Sequence, residues 1–106
     1  MLFRSLLSHD RIELIHQGGN QARVNWQISE EEKAALKSHG GEKLYLRIYG
    51  PQGETVWQQE VRESDHHQTV SVPESGLDYV ADLGYLTASG QWLSLAKSVK
   101  LNIPKA

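Results

Sequence analysis

The chain has 106 residues, of which 39% are hydrophobic and 23% charged, with no cysteine and a formal net charge of −2. This size and composition are typical of one globular domain with its own core, and the lack of cysteine excludes disulfides and thiolate metal ligands. Nucleic-acid binders usually carry a basic stripe; because the basic residues here are scattered, nucleic acid is not an expected partner.

The N-terminal segment has some apolar character. Four residues would form a narrow stripe on a helix, namely Leu2, Phe3, Leu6 and Leu7. This stripe could dock on the domain, add a strand or bind a partner. The segment lacks the apolar stretch and cleavage site of a secretory signal, and no run approaches the ~20 residues of a membrane span. We therefore expect a cytoplasmic protein, with an extension over residues 1–10 and a single domain over residues 11–106.

Glycine- and proline-containing turn signals recur along the rest of the chain, and the short segments between them are rich in β-branched and aromatic residues. The predicted strands cover Arg11–Ile15, Gln21–Ile28, Lys43–Tyr49, Thr55–Arg62, Gln68–Val72 and Leu77–Leu86, and a last one runs over Trp92–Leu95 and Val99–Ile103 with a break near Ala96–Ser98. About seven antiparallel strands at this spacing predict an all-β sandwich.

One short helix is predicted near residues 30–38. Ser29 and Glu32 form a capping box, in which each side chain can bond the other residue's backbone amide. The acids at the helix start also suit the positive end of the helix dipole, and Gly40 or Gly41 ends the helix. We expect it to cross between strands at one end of the sandwich.

Alternation of side chains is clearest in the strand Lys43–Tyr49. One side presents Leu44, Leu46 and Ile48, and the other presents Tyr45, Arg47 and Tyr49. Trp57 follows on the next strand. These aromatics form either a platform that stacks on sugars or a protein interface, or they merely shield the outer face of the sheet. Trp92, beside the last hairpin, is a second candidate, with a place in the core as its alternative.

Three stretches together are similar to a bacterial family, domain of unknown function 4912. They are Val24–Ser29, Leu44–Tyr49, and Tyr79–Tyr85 followed by Gly90–Ser98 and Pro104. The resemblance implies an immunoglobulin- or fibronectin type III-like β-sandwich without an accepted activity. Some relatives are attached to, or encoded beside, glucan-processing enzymes, which makes carbohydrate a candidate ligand.

Four residues are interpreted as structural. Tyr79 opens a long late strand and is expected to form a tyrosine corner, in which the phenol bonds an upstream backbone group. Trp26 is expected in the core between the two sheets. If the chain turns through Ala88–Gln91, Lys97 returns beside Asp82, and we expect an ion pair that fixes the register of the hairpin. The alternative is that Asp82 is a ligand-binding acid.

Catalytic and metal-binding patterns are missing from the sequence. There is no nucleophile motif and no phosphate-binding loop before a helix. His66 and His67 are adjacent, so on a strand they would point to opposite faces and make poor joint ligands. No enzyme activity, cofactor or metal site is therefore expected.

The sequence favours a non-catalytic binding module that contacts another protein through an aromatic sheet face or an open edge. Tyr45, Arg47, Tyr49, Trp57 and Trp92 are the candidate binding residues. The alternative is a module that binds a glucan-type carbohydrate by stacking on the same rings. An uncovered edge allows either a monomer or a weak edge-paired dimer.

Overall fold

The computed structural model describes residues 10–105, which contain eight strands and one helix. In chain order they are β1 (Arg11–Gly18), β2 (Gln21–Gln27), α1 (Glu30–Ser38), β3 (Gly41–Tyr49), β4 (Thr55–Glu60), β5 (His67–Ser71), β6 (Asp78–Thr87), β7 (Trp92–Lys97) and β8 (Leu101–Asn102). The apolar stripe at Leu2, Phe3, Leu6 and Leu7 lies outside the described residues.

The strands form two antiparallel sheets. Sheet A has the order β1-β2-β5, and sheet B has the order β4-β3-β6-β7, with β8 pairing with β6 beyond the end of β7. The chain passes from sheet A to sheet B through α1, which links β2 to β3. The predicted all-β sandwich with one short helix is confirmed.

The core lies between the sheets and follows the alternation of side chains. Sheet B contributes Leu44, Leu46, Ile48, Tyr79, Ala81, Leu83 and Tyr85, and sheet A contributes Leu14, Ala22, Val24, Trp26 and Val70. Trp26 is 5% exposed and lies within this layer, as the sequence predicts. Complete burial of one large apolar side chain stabilises the fold by about 1.5–3 kcal/mol, so the inward stripes hold the two sheets together.

Helix α1 begins with a side-chain cap. Ser29 Oγ accepts from the Glu32 amide at 3.2 Å, which is one half of the predicted capping box. The backbone amide of Ser29 donates to Oδ1 of Asp10 at 2.6 Å, so the chain just before β1 also fixes the helix start. The helix ends at Ser38, and Gly40 takes a φ of 102°. Within residues 10–105, no helix has the length and apolar character needed to cross a membrane.

A polar brace attaches α1 to the body of the sandwich. The Glu63 carboxylate accepts from the Tyr85 hydroxyl at 2.8 Å and is bonded by Lys37 Nζ at 2.8 and 2.9 Å. Buried Lys33 donates to the backbone oxygen of Glu63 at 3.1 Å and pairs with Glu30 at 3.3 Å. The loop after β4 thereby connects the helix to the core strand β6.

Tyr79 has the geometry of a tyrosine corner. Its hydroxyl donates to the backbone oxygen of Glu74 at 2.6 Å and accepts from the Glu74 amide at 3.3 Å. Its ring is 1% exposed. The turn before β6 is therefore tied to the first residues of that strand.

The last predicted strand is interrupted, which explains why eight strands are present rather than about seven. The interruption lies at Ser98–Lys100, slightly later than predicted. Ser98 replaces the missing ladder bonds, because its amide donates to Ala81 O at 2.8 Å and its Oγ accepts from Ala81 N at 2.9 Å. The hydroxyl also donates to the backbone oxygen of Val99. This arrangement leaves Val99 86% exposed beside Lys97 and Lys100.

Candidate functional site: the outer face of sheet B

Polar and aromatic side chains meet on the outer face of sheet B, across β3, β6 and β7. Strand pairing places Arg47 opposite Asp82, and Asp82 opposite Lys97, so the three side chains leave the sheet on the same side. Tyr49 and Trp92 lie on this side as well. We call these five residues the outer cluster: Arg47, Tyr49, Asp82, Trp92 and Lys97.

Asp82 lies at the centre of the outer cluster and is only 1% exposed. Its Oδ2 accepts from the Tyr49 hydroxyl and from Trp92 Nε1, each at 2.9 Å, and its Oδ1 accepts from Ser94 Oγ at 2.6 Å. A buried carboxylate is tolerated only when donors replace its lost hydration. The three donors do so, and in return Asp82 fixes the orientation of both aromatic rings.

The Trp92 indole is enclosed by Gly84 and Arg47. A Cβ atom at Gly84 would lie 2.8 and 2.9 Å from indole atoms Cζ2 and Cε2, so only glycine lets the ring approach the strand this closely. The guanidinium carbon of Arg47 lies 3.9 Å from the indole centroid, which is a cation–π contact. Arg47 Nε also donates to Gln58 Oε1 on β4 at 2.7 Å, which holds the guanidinium in place.

Lys97 makes a second cation–aromatic contact. Its Nζ lies 5.7 Å from the ring centroid of Tyr49. The two pairs cross β6 in opposite directions, since Arg47 on β3 reaches Trp92 on β7, and Lys97 on β7 reaches Tyr49 on β3. Both pairs flank the Asp82 carboxylate.

The predicted ion pair between Asp82 and Lys97 does not form, although the two residues are paired across the hairpin as expected. Among the residues that the structure describes, no ion pair within 4.0 Å joins them. The physical reason is that neutral donors from three neighbouring side chains already bond Asp82, whereas the long Lys97 side chain extends over Tyr49.

The Tyr49 hydroxyl is shifted towards its neutral form. Burial raises the pKa of Tyr49 above its ordinary value, Asp82 acts in the same direction, and Arg47 opposes the shift. The shift therefore favours the protonated hydroxyl, which is the form that donates to Asp82.

The structure does not bring Trp57 together with Tyr45 and Tyr49. Trp57 pairs with Ile48 and packs against the core, so its side chain lies on the opposite side of the sheet from the outer cluster. A register shift between Ile48 and Tyr49 sets this pairing. Tyr45 does lie on the outer face, half-buried and paired with Gly84 on β6 and Glu60 on β4.

A cleft of about 290 Å³ continues from one end of the outer cluster. Tyr49 and Val80 line it together with Gly50, Pro51 and Gly53 from the β3–β4 turn, and it also contacts Asp78, Lys97 and Lys100. The cleft thus combines a largely apolar lining with two lysine side chains and one aspartate.

Sequence reasoning missed Gly84, Ser94 and Lys100. A glycine within a strand signals close approach by another group, so Gly84 was detectable in principle. Ser94 follows Trp92 by two positions and therefore lies on the same face. No sequence pattern indicated that Lys100 would line the cleft, since its position there depends on the strand interruption that begins at Ser98.

The histidine pair shows no arrangement for a metal. His67 is exposed on β5, and His66 uses its backbone oxygen to accept from the Trp26 amide at 2.9 Å. Over residues 10–105, the histidine, aspartate and glutamate side chains form no group of three or more that could hold an ion.

Several solved structures are similar to this chain. The fibronectin type III domain of human collagen alpha-1(XX) chain matches with a TM-score of 0.63 and 13% identity, over 92% of this chain and 81% of that one. The third fibronectin III domain of human KIAA0343 protein matches with a TM-score of 0.62 and 15% identity, over 91% and 80%. The FN5 domain of Drosophila Lar matches with a TM-score of 0.59 and 11% identity, over 91% and 94%. At these identities the likeness shows the fold, which is fibronectin type III-like.

Sequence comparison gives one further finding. A family model described as domain of unknown function (DUF4912) matches residues 8–106, which is nearly the whole chain. No curated protein matches the chain.

Proposed function

This chain belongs to the family described as domain of unknown function (DUF4912), and from that premise we propose that it is a non-catalytic module that binds another protein through the outer face of sheet B. The observation that carries the proposal is the outer cluster, in which the buried Asp82 carboxylate holds two aromatic rings and each ring lies under a cation.

The residue types of the outer face suit a protein interface. Arginine, tryptophan and tyrosine are the residues most enriched at interface hot spots. Here Trp92 and Tyr49 are bonded to Asp82, and Arg47 is bonded to Gln58. Side chains that are already ordered lose little conformational entropy on binding. A partner would therefore meet a rigid surface rather than a mobile one.

The same geometry gives less support to the glucan alternative. Sugar rings stack on an open aromatic face, but the Arg47 guanidinium lies over Trp92, and Lys97 lies over Tyr49. Trp57 packs against the core. Of the predicted stacking residues, Tyr45 is left without such a cation contact among the described residues, and one tyrosine makes a weak platform.

The test uses two matched arginine variants. Arg47 on sheet B and Arg23 on sheet A each donate Nε to a neighbouring side-chain amide, at 2.7 and 2.9 Å. A protein captured by the domain should be purified, and its Kd measured for the wild type, Arg47→Glu and Arg23→Glu by calorimetry. We expect Arg47→Glu to weaken binding by about tenfold or more, as loss of a hot spot does, and Arg23→Glu to change it less than about twofold.

Equal loss with both variants, or no loss with either, would contradict the assignment of the interface to sheet B. Titration of tryptophan fluorescence with soluble α-glucan provides the other arm. A saturable change at millimolar sugar that Tyr45→Ala abolishes would transfer the function to carbohydrate binding.

A further inference from the structure

The cleft beside the outer cluster has a chemistry of its own. It lies between the β3–β4 turn and the interruption that separates β7 from β8, and its volume of about 290 Å³ is at the small end of ligand sites. A space of this size accommodates one or two side chains. It therefore suits a short segment of a partner rather than a flat surface.

The lining of the cleft is apolar, and it is held in place. Tyr49 is fixed by its bond to Asp82, and Val80 belongs to the central strand β6. The turn that forms the other wall is closed by bonds from Gly50 N to Glu54 O at 2.8 Å and from Gly53 N to Gly50 O at 3.0 Å. The Glu54 side chain adds a bond to the Gln52 amide at 2.9 Å. The cleft is therefore preformed.

Lys97 and Lys100 provide the charge. Both are exposed, and over residues 10–105 neither forms an ion pair within 4.0 Å. Asp78 also lines the cleft, where it accepts from the neutral Asn102 Nδ2 at 2.9 Å, so two lysines outnumber one carboxylate in the lining. Two ammonium groups at the rim of an apolar cleft complement a carboxylate that lies next to an apolar side chain.

Val99 adds an exposed apolar side chain at the same interruption. It is 86% exposed and is flanked in sequence by Ser98 and Lys100. A large apolar residue that is this exposed gains stability when a partner covers it. It lies next in sequence to Lys100, which lines the cleft, so a partner that enters the cleft could also cover it.

We propose that this cleft binds an acidic peptide segment of the protein partner, with an apolar side chain seated against Tyr49, Pro51 and Val80 and an adjacent glutamate or aspartate paired with Lys97 and Lys100. This inference rests on the proposed function and adds to it the chemistry of the partner. Lysine suits a carboxylate that arrives in variable geometry, because its ammonium acts as a point charge with rotatable donors.

The experiment uses three capped peptides whose sequences are Leu-Glu-Leu-Glu, Leu-Gln-Leu-Gln and Leu-Lys-Leu-Lys. Each is titrated into the full ¹⁵N-labelled chain, and amide chemical shifts are followed by NMR. With the glutamate peptide we expect saturable shifts confined to the residues around Gly50, Gly53, Val80 and Lys100. The glutamine peptide should bind several-fold more weakly, and the lysine peptide should not bind.

Charge-removing variants identify the contacts. Lys97→Gln and Lys100→Gln should each weaken binding of the glutamate peptide about two- to fivefold, the range of an exposed ion pair. The matched control is Lys43→Gln, which removes an exposed lysine at the other end of sheet B and should leave binding unchanged. Raising the salt concentration should weaken binding of the glutamate peptide but not of the glutamine peptide.

Equal affinity for the glutamate and glutamine peptides, or shifts that map elsewhere, would overturn the inference. Tighter binding of a phosphoserine peptide would also overturn the inference, because the preferred ligand group would then be a phosphate rather than a carboxylate. A different result would contradict the proposed function. In that case Arg47→Glu leaves binding of the protein partner intact, although the glutamate peptide still occupies the cleft. If Arg47→Glu abolishes protein binding but no peptide enters the cleft, only the present inference is lost.

Discussion

The Asp82 carboxylate is the common hydrogen-bond acceptor at the centre of the outer cluster. Removing it would leave the Tyr49 hydroxyl, Trp92 Nε1 and Ser94 Oγ without their common acceptor. Since an unsatisfied buried donor costs about 1–3 kcal/mol, Asp82→Ala should lower the free energy of unfolding by about 1–4 kcal/mol. Urea denaturation followed by circular dichroism measures this loss.

Asp82→Asn is the matched control for that substitution. The amide keeps the shape of the side chain and one acceptor oxygen, so it should lose less stability than Asp82→Ala. A midpoint for Asp82→Ala equal to that of the wild type would show that the outer cluster contributes nothing to the fold.

Gly84 is the second residue on which the outer face depends. A Cβ there would meet the Leu93 backbone oxygen at 2.5 Å as well as the Trp92 indole. Because backbone cannot yield as a flexible side chain does, Gly84→Ala should cost about 1–3 kcal/mol and displace the indole, which changes its emission. Val99→Ala, at an exposed site, should stay within about 0.5 kcal/mol of the wild type. An unaltered emission spectrum in Gly84→Ala would contradict the close approach.

For single residues, the sequence predicted the face of a side chain correctly where the alternation within one strand determines it. Alternation within β3 placed Tyr45, Arg47 and Tyr49 on the outer face without any knowledge of the neighbouring strands. The face of Trp57 depended on the register across the β3–β4 turn, where a shift of one residue exchanges the two faces. No residue pattern in the sequence predicts the register shift between Ile48 and Tyr49.

The attachment of α1 belongs to the scale of elements and gives a pH dependence. The hydrogen bond from Lys37 lowers the pKa of Glu63 below its ordinary value of 4.5, against an opposing effect of burial, and the Tyr85 hydroxyl acts with Lys37. A lowered folded pKa means that the contribution to stability is present above about pH 4.5 and is lost as the pH falls through the lower folded value.

We therefore expect Glu63→Gln to melt at a lower temperature than the wild type at pH 7. The difference should shrink as the pH falls below about 4.5, since the wild-type carboxylate then becomes neutral as well. Thermal melts between pH 7 and pH 3 measure it. Glu31→Gln is the control, because this exposed acid in the first turn of α1 lies outside the brace. A difference that stays constant down to pH 3 would exclude ionised Glu63 as its cause.

Sequence patterns located the elements well but not their irregularities. The strand predicted at Lys43–Tyr49 is β3 with two more residues, and the predicted helix matches α1. The sequence also indicated a break in the last strand, but its position depends on how Ser98 bonds Ala81. The register shift between Leu83 and Gly84 opposite β7 is likewise a consequence of tertiary packing.

At the scale of the whole molecule, neither sheet has a core of its own. Each buries its apolar face against the other, α1 links β2 of sheet A to β3 of sheet B, and the Glu63 brace attaches α1 to β6. We therefore expect a single cooperative unfolding transition. Tryptophan fluorescence, which includes Trp26 in the core and Trp92 on the outer face, should give the same urea midpoint as far-UV circular dichroism. A fluorescence change at lower urea than the circular dichroism change would contradict a single transition.

The interruption at Ser98 has a consequence for assembly. A foreign strand extends a sheet by continuing its ladder of backbone bonds, which requires an uninterrupted rim. On the β7–β8 side that ladder stops after Lys97, and the bonds of Ser98 are turned inward to Ala81. Along that margin a foreign strand can therefore pair with the six residues Trp92–Lys97 and no further, so edge pairing there is limited to a short strand.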